Sequence, residues 1–294
     1  MAAGDTVTVL TRNAKLAPRF VHWDGRTLGS WTQEIEDADL LLNLCGRSVN
    51  CRYNAANRAA ILSSRIASTR ILGEAIARAR RPPRVWMNAS TATIYRHSLD
   101  REMDEDTGEI GGNEAGTPET WRFSIDVAKR WEEAFADAPA PFTRKIALRS
   151  AMTMSPDKGG ILDVLLGLVR RGLGGRQGSG KQFVSWIHEA DFVAAIEFLL
   201  ANDSIEGVVN MASPHPLPNR DFMAILRAAA GVSIGISVTR WMLEIGASVM
   251  RTETELVLKS RRVVPGRLLA SGFRFRFPEW TEAAHDLVER WRTV

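Results

Sequence analysis

Asp39–Leu44 (DLLLNL) is a continuous apolar run with no polar alternation, the mark of a strand buried on both faces. A long helix is predicted behind it, from about Asn57 to Arg78. Leu62, Ile66, Thr69, Leu72 and Ile76 recur there at spacings of three or four, so one face is buried. Pro82–Pro83 stops that helix and Val85–Ala89 (VWMNA) begins the next strand. Strand, crossover helix and strand in this order specify a parallel sheet. The same rhythm runs on. Thr6–Leu10 and Phe20–Trp23 read as earlier strands, Asp100–Gly116 as a loop, Trp121–Ala136 as a helix and Lys145–Leu148 as a strand. Gly159–Arg171, Ala190–Leu200 and Arg220–Ala230 read as helices around the strands Phe183–Ile187 and Val208–Met211. After Val238 the rhythm gives way to a short helical tail, a basic stretch at Lys259–Arg262 and the aromatic run Phe273–Pro278. The expected organisation is therefore a dinucleotide-fold region over 1–160, a substrate-binding region over 161–239 and a small C-terminal domain over 240–288.

Composition narrows the classes without choosing a function. Hydrophobic residues at 45% and charged residues at 24% of 294 are those of a globular protein. The 38 basic and 34 acidic residues are spread along the chain, so the formal charge of +4 does not predict a nucleic-acid partner. Cys45 and Cys51 are the only cysteines, and no His or Cys pair stands near them. Neither a disulfide framework nor a zinc site is expected, and the five scattered histidines predict no metal. The first residues, MAAGDTVTVLTRN, lack the apolar core of a signal peptide, and no stretch reaches the ~20 apolar residues of a membrane span. A cytoplasmic protein with a small-molecule substrate and no membrane contact is expected.

Candidate site residues lie where strands end. In doubly wound sheets ligands sit beyond the carboxyl ends of strands, where small residues let the backbone approach a cofactor. Asn43-Leu44-Cys45-Gly46 follows the first buried strand and makes Asn43 and Gly46 cofactor candidates; a strand-ending turn explains them equally. Asn88-Ala-Ser90-Thr91-Ala-Thr93-Ile-Tyr95 ends the next strand. Thr91 and Tyr95 there can polarise a substrate oxygen, and Ser90 can face a cofactor, although hydroxyls also cap turns. Arg12, just past TVTVL, suits a ribose 2′-phosphate or is an exposed loop arginine. His188, in Ser185-Trp-Ile-His188, is a substrate-contact candidate or a structural strand-end histidine. Gly175–Gln182 nearly spells a phosphate loop, but Gln182 replaces the required Ser/Thr and the stretch follows a helix.

Taken in order, NLCG, NASTATIY, WRFSIDVAKRWEE, RKIALRSAMTMSP, QFVSWIHEADF and GVVNMASPHPLPN resemble the extended short-chain dehydrogenase/reductases. More narrowly, the chain is similar to their nucleoside-diphosphate-sugar epimerase subfamily, whose members end in a small domain of unknown function (DUF1731-like). The segment WMLEIGASVMRTETELVLKSRRVVPGRLLASGFRFRFP resembles that domain. The resemblance spans nearly the whole chain. It implies an α/β Rossmann-like doubly wound parallel sheet with a smaller C-terminal substrate region, NADP or NAD as cofactor, and a homodimer through the long helices.

Two departures from the family pattern stand out. Family members carry a strand and a GxxGxxG loop ahead of the residues matching VTVLTR, and here only Met1–Asp5 and Thr6 precede them. That loop lets the backbone approach the pyrophosphate at a helix N-terminus, and its strand would lie in mid-sheet. The family's catalytic pair is Tyr-x-x-x-Lys. Lys129 matches the lysine, but Ile125 stands where the tyrosine would be. The two tyrosines do not restore the pair, since Asn57 lies four residues after Tyr53 and Leu99 four after Tyr95. Thr91 matches the family's catalytic Ser/Thr. Two functions are therefore expected to compete: an NADP(H)-dependent epimerase or reductase acting on a nucleotide-sugar-like substrate, and a catalytically inactive dinucleotide-binding or regulatory protein on the same scaffold.

Overall fold

The computed structural model describes residues 4–13, 19–239, 241–242 and 255–294. Its centre is a parallel sheet of four strands in the order β3-β4-β5-β9, comprising β3 Leu40–Asn43, β4 Val85–Thr91, β5 Arg144–Ser150 and β9 Gly207–Met211. β4 and β5 pair over seven residues, from Val85↔Arg144 to Thr91↔Ser150. Alternation along β4 decides which layer each side chain joins. Trp86 packs toward α1 (Ala55–Arg78) and α2 (Glu119–Ala136), with Ile71, Leu72 and Phe135. Val85 and Met87 pack on the opposite face with Ala195 and Leu199 of α4 (Glu189–Ala201). Both faces are covered, as the unbroken apolar run of β3 requires. The fold is Rossmann-like and lacks a strand and glycine loop ahead of β1. Its fourth sheet strand comes from beyond residue 160, so the sheet draws on both of the regions expected from sequence.

The first two strands stand apart from this sheet. β1 (Val9–Thr11) and β2 (Phe20–His22) form a parallel ribbon of their own, and neither pairs with β3. Side chains hold the ribbon in place: Leu10 and Val21 lean on the cluster of Trp23, Trp31, Leu41 and Leu72. β1 starts later than the sequence suggests, at Val9 instead of Thr6.

α1 is buried along its second half on more than one side. Ser68, Thr69, Ile71, Leu72, Gly73, Ala75 and Ile76 are all buried, whereas the predicted stripe residues Leu62 and Ile66 are half-exposed. The reason is local crowding: a Cβ on Gly73 would come within 2.7 Å of Ala138 and 3.5 Å of Trp86. Small residues there let α1 lie against its neighbours.

The remaining chain builds a second core. α3 (Ile161–Arg170), α5 (Asn219–Ala230) and the last helix, α8 (Trp280–Thr293), surround Trp186, Trp280 and Phe222. The strand expected over Phe183–Ile187 is broken at Ser185. Phe183–Val184 (β7) pairs with β10 (Leu217–Pro218), and Trp186–His188 (β8) pairs with β6 (Met152–Met154). Ser185 explains the break: its hydroxyl donates to the carbonyl of Arg261 at 2.6 Å and accepts from the N–H of Val263 at 2.8 Å. The C-terminal segment, with α6 (Glu255–Leu258) and α7 (Gly266–Ala270), is thereby sewn to the body. Most of the expected helical tail after Val238 lies outside the described residues. Among the described residues, no helix is long and apolar enough to cross a membrane.

Candidate active site

The carboxyl ends of β3, β4, β5 and β9 align at one edge, through Asn43↔Asn88, Thr91↔Ser150 and Ser150↔Met211. Asn43 is buried there and works inwardly. It donates to Asn88 at 2.6 Å and accepts from the Cys45 N–H at 3.0 Å, which shapes the turn leading to Gly46. Gly46 faces Arg65: an added Cβ would sit 3.1–3.3 Å from the guanidinium. Arg65 lies over the Trp131 ring at 5.0 Å and donates to the carbonyls of Arg47 and Ile61. Burial lowers its pKa, and the Tyr53 phenol opposes that shift. Arg12 is exposed past β1 and makes no hydrogen bond or ion pair among the described residues.

The end of β4 separates two residues that the sequence groups together. Thr91 is half-buried and caps a 3-10 turn, Ala92–Ile94, by accepting from the Thr93 N–H at 3.2 Å. That turn swings Tyr95 into the core, where it is 1% exposed. Its hydroxyl donates to Asn210 at 2.9 Å and accepts from Arg149 at 2.9 Å. Arg149 in turn forks onto Glu132 at 2.8 and 2.7 Å, and Ser90 donates to the same carboxylate at 2.5 Å. Burial acts against the Arg149 cation, but Glu132 more than reverses it and raises its pKa. Burial pushes the Tyr95 phenol up. Ser90 and Tyr95 thus belong to one satisfied network with no side-chain hydrogen-bonding capacity turned outward by the phenol.

His188 is also inward. It is fully buried, caps α4 by accepting from the Ala190 N–H at Nδ1 (3.0 Å), and directs Nε2 to Asp286 at 3.1 Å. Its ring stacks on Phe277 at 4.0 Å. Burial outweighs Asp286 and lowers its pKa, which favours the neutral ring that this capping requires.

A cleft of about 940 Å³ opens beside the N-terminus of α2, with Arg52, Arg96, His97, Glu114, Trp121 and Gln182 on its walls. The His97 ring stacks on Trp121 at 5.4 Å, and its Nδ1 accepts from the Ser260 N–H at 3.0 Å. Burial, followed by the nearby Lys259 cation, lowers its pKa. Glu114 holds the Gly112 N–H at 2.6 Å. Gly112 adjoins Lys129, whose Nζ would lie 3.6 Å from an added Cβ. Lys129 is half-buried and has no hydrogen bond or ion pair among the described residues. Ile125, one turn earlier, is buried against Gly111 and Gly112. Its apolar side chain fills the space under that loop.

The C-terminal segment adds residues that the sequence reading did not select. Lys259 is fully buried and donates to the Thr93 carbonyl at 2.6 Å, beside Glu255 at 4.0 Å. Burial, aided by Arg261, brings its pKa down to about 7. Arg261 donates to the Thr93 hydroxyl at 3.2 Å. Glu255 accepts from Ser124 of α2 at 2.5 Å, and Ser124 lies 3.4 Å from the Tyr53 hydroxyl. A weak signal was present: Glu255 and Lys259 stand four apart, a helical ion-pair spacing. Their burial was not legible.

This architecture has relatives. A domain of unknown function, DUF1731, matches residues 238–287. The epimerase family protein SDR39U1 of Bos taurus is 32% identical over 291 residues, covering 98% of this chain and 92% of that one. The chain belongs to this epimerase family. A solved structure of the human family member (isoform 2), determined with NADPH, is 29% identical and superposes with a TM-score of 0.84, covering 98% of this chain and 92% of that one. A nucleoside-diphosphate sugar epimerase from Corynebacterium glutamicum is 26% identical with a TM-score of 0.74; the match covers 97% of this chain and 53% of that one. Across the family comparison the parallel sheet and the C-terminal segment are shared features.

Proposed function

We propose that this epimerase-family chain is an NADP(H)-dependent oxidoreductase of epimerase type, working on a nucleotide-sugar-like substrate in the cleft beside α2. The observation that carries the reading is Lys129: a half-buried ammonium without a partner among the described residues, in the family's lysine position, at the margin of a large polar cleft. A partly buried charge is costly unless something answers it, and ribose hydroxyls would. The NADPH in the human relative's structure supports this choice of cofactor.

The donors fit the two ends of such a cofactor better than its middle. Arg12 would meet a 2′-phosphate, and Lys129 would hold the nicotinamide ribose. Asn43 and Ser90 would act on the cofactor only through the loops they shape, because their side chains are already bonded within the protein. The buried Arg65 beside Gly46 is the positive charge placed to meet a pyrophosphate. When bound, the nicotinamide supplies or accepts hydride. The cleft suits the substrate side: Arg52 and Arg96 would attract a diphosphate, and the stacked Trp121 and His97 offer a flat surface to a ring. Thr91, half-exposed at the end of β4, would hydrogen-bond the reacting oxygen. Tyr95 and His188 would serve as scaffold, since both are buried and internally bonded.

Calorimetric titration with NADPH tests the reading. Saturable binding is expected, weakened about tenfold or more by Lys129→Met, and by Arg12→Ala for NADPH but not NADH. Binding of neither nucleotide at millimolar concentration would sink it. Binding unaffected by Lys129→Met, with no turnover on any nucleotide sugar, favours the inactive scaffold instead.

A further inference from the structure

We propose that Tyr53 supplies the proton-donating phenol that α2 lacks. The inference rests on the oxidoreductase reading and extends it to a residue outside the family's motif. A hydride transfer to a carbonyl carbon needs a proton at the carbonyl oxygen, and Ile125 has none to give. Of the chain's two phenols, Tyr95 is enclosed and bonded on both sides to Arg149 and Asn210. Tyr53 is half-exposed, and its neighbour Arg52 lines the cleft.

Tyr53 reaches the same stretch of α2 from a different element. It precedes α1, and its ring meets Phe123 edge-on at 5.0 Å and 68°. Its hydroxyl lies 3.4 Å from Ser124 Oγ, and Ser124 immediately precedes Ile125. Ser124 donates its single proton to Glu255 at 2.5 Å, so toward Tyr53 its oxygen accepts. The arrangement is a hydrogen-bonded line from the phenol through Ser124 to a buried carboxylate.

The surrounding charges favour loss of that phenol's proton. Arg65 from α1 and Arg261 from the C-terminal segment both interact electrostatically with Tyr53. Arg58 lies over the adjoining Phe123 ring at 4.7 Å. The opposing anion is Glu255, and Lys259 at 4.0 Å and Arg261 at 3.9 Å offset it. Several cations around one carboxylate in a partly buried site stabilise a phenolate. A lysine does this for the family's helix tyrosine; here arginines do it for a loop tyrosine.

The proton balance is simple. In the reducing direction the carbonyl carbon accepts hydride from a reduced nicotinamide while the carbonyl oxygen takes the Tyr53 proton, leaving an alcohol and a phenolate. In the oxidising direction the Tyr53 phenolate takes the alcohol's proton as its carbon gives up hydride to the oxidised nicotinamide.

Because only two tyrosines contribute, ultraviolet phenolate titration of the full chain without cofactor reads Tyr53 directly. The wild type should show one phenol ionising below the ordinary range near ~10 while the protein stays folded. Tyr53→Phe should lose that step, keep its thermal midpoint and retain NADPH affinity within about twofold, as expected of a group acting on the proton and not holding the cofactor. Ser124→Ala, which keeps the phenol and its cations, should retain an early step and so guards against misfolding of the first variant. A first ionisation at or above the ordinary range, or an early step surviving in Tyr53→Phe, overturns the assignment. An acidic Tyr53 in a chain that takes up no NADPH overturns the oxidoreductase reading. A normal phenol in a chain that binds NADPH overturns only the role of Tyr53.

Discussion

The β1–β2 ribbon and the four-stranded sheet are both parallel, yet they are held by different forces. In the sheet, β4 has neighbours on both sides, pairs with β5 over seven residues and is buried on both faces. In the ribbon, three residue pairs link two half-exposed strands, and its attachment to the body runs through side chains such as Leu10, Val21 and Trp23. An isolated two-stranded element is marginal in water, whereas a multi-strand sheet with covered faces carries its own stability. The ribbon therefore owes its place to packing on α1 and not to backbone pairing with β3. Arg12, the proposed 2′-phosphate contact, sits on the less firmly held part.

The largest effect should come from the sheet. Trp86→Ala removes a fully buried side chain between α1, α2 and Phe135 and should cost about 3–5 kcal/mol in denaturant unfolding. Arg149→Met should cost a similar ~3–5 kcal/mol, because Glu132 would be left with a charge and no fork to answer it. A loss below about 1 kcal/mol for either would mean that the sheet is no better anchored than the ribbon.

A pH experiment comes next in size and concerns the C-terminal segment behind the site. Lys259 has its pKa brought down to about 7 from an ordinary value near 10.5, so between those values the unfolded chain binds more protons than the folded one. Stability should therefore rise with pH across roughly 7 to 10, with the contribution lost as pH falls through the folded value. Lys259→Met should flatten that slope in unfolding measured at a series of pH values. An unchanged slope would show that Lys259 is neither buried nor paired as the structure has it.

The smallest effect belongs to the ribbon. Leu10→Ala, at a half-buried position, should cost about 1 kcal/mol or less and leave the global transition cooperative. Amide exchange should find the ribbon opening before the sheet. Equal protection of β1 and β4 would erase the distinction between the two regions. A larger gain in ribbon protection on adding NADPH would sharpen it, since Arg12 would then tie the ribbon to the ligand.

Much of the scaffold was legible in sequence. The apolar run of β3, the Pro82–Pro83 stop and the helix Glu119–Ala136 all emerge close to where spacing puts them. The strand at Phe183–Ile187 did not, because its break depends on Ser185 bonding to Arg261 and Val263, more than seventy residues away. The site was less legible still. Asn43, Gly46 and Thr91 were placed correctly at strand ends, but the same reasoning made Tyr95 and His188 look available. Only the 3-10 turn after Thr91 and the packing of Phe277 on His188 show that they face inward.

What the sequence determined by itself was the architecture: alternation of buried strands and amphipathic helices, the family, and the absence of a phenol four residues before Lys129. Those properties are local, since period and spacing are written in neighbouring residues. The tertiary structure decided which polar groups are committed and which are presented. Tyr95 meets a partner 115 residues distant and Tyr53 meets one 71 residues distant, and no local pattern specifies either encounter. Burial and electrostatics depend on those long-range meetings. They leave Tyr95 enclosed in the core and Tyr53 half-exposed beside the cleft.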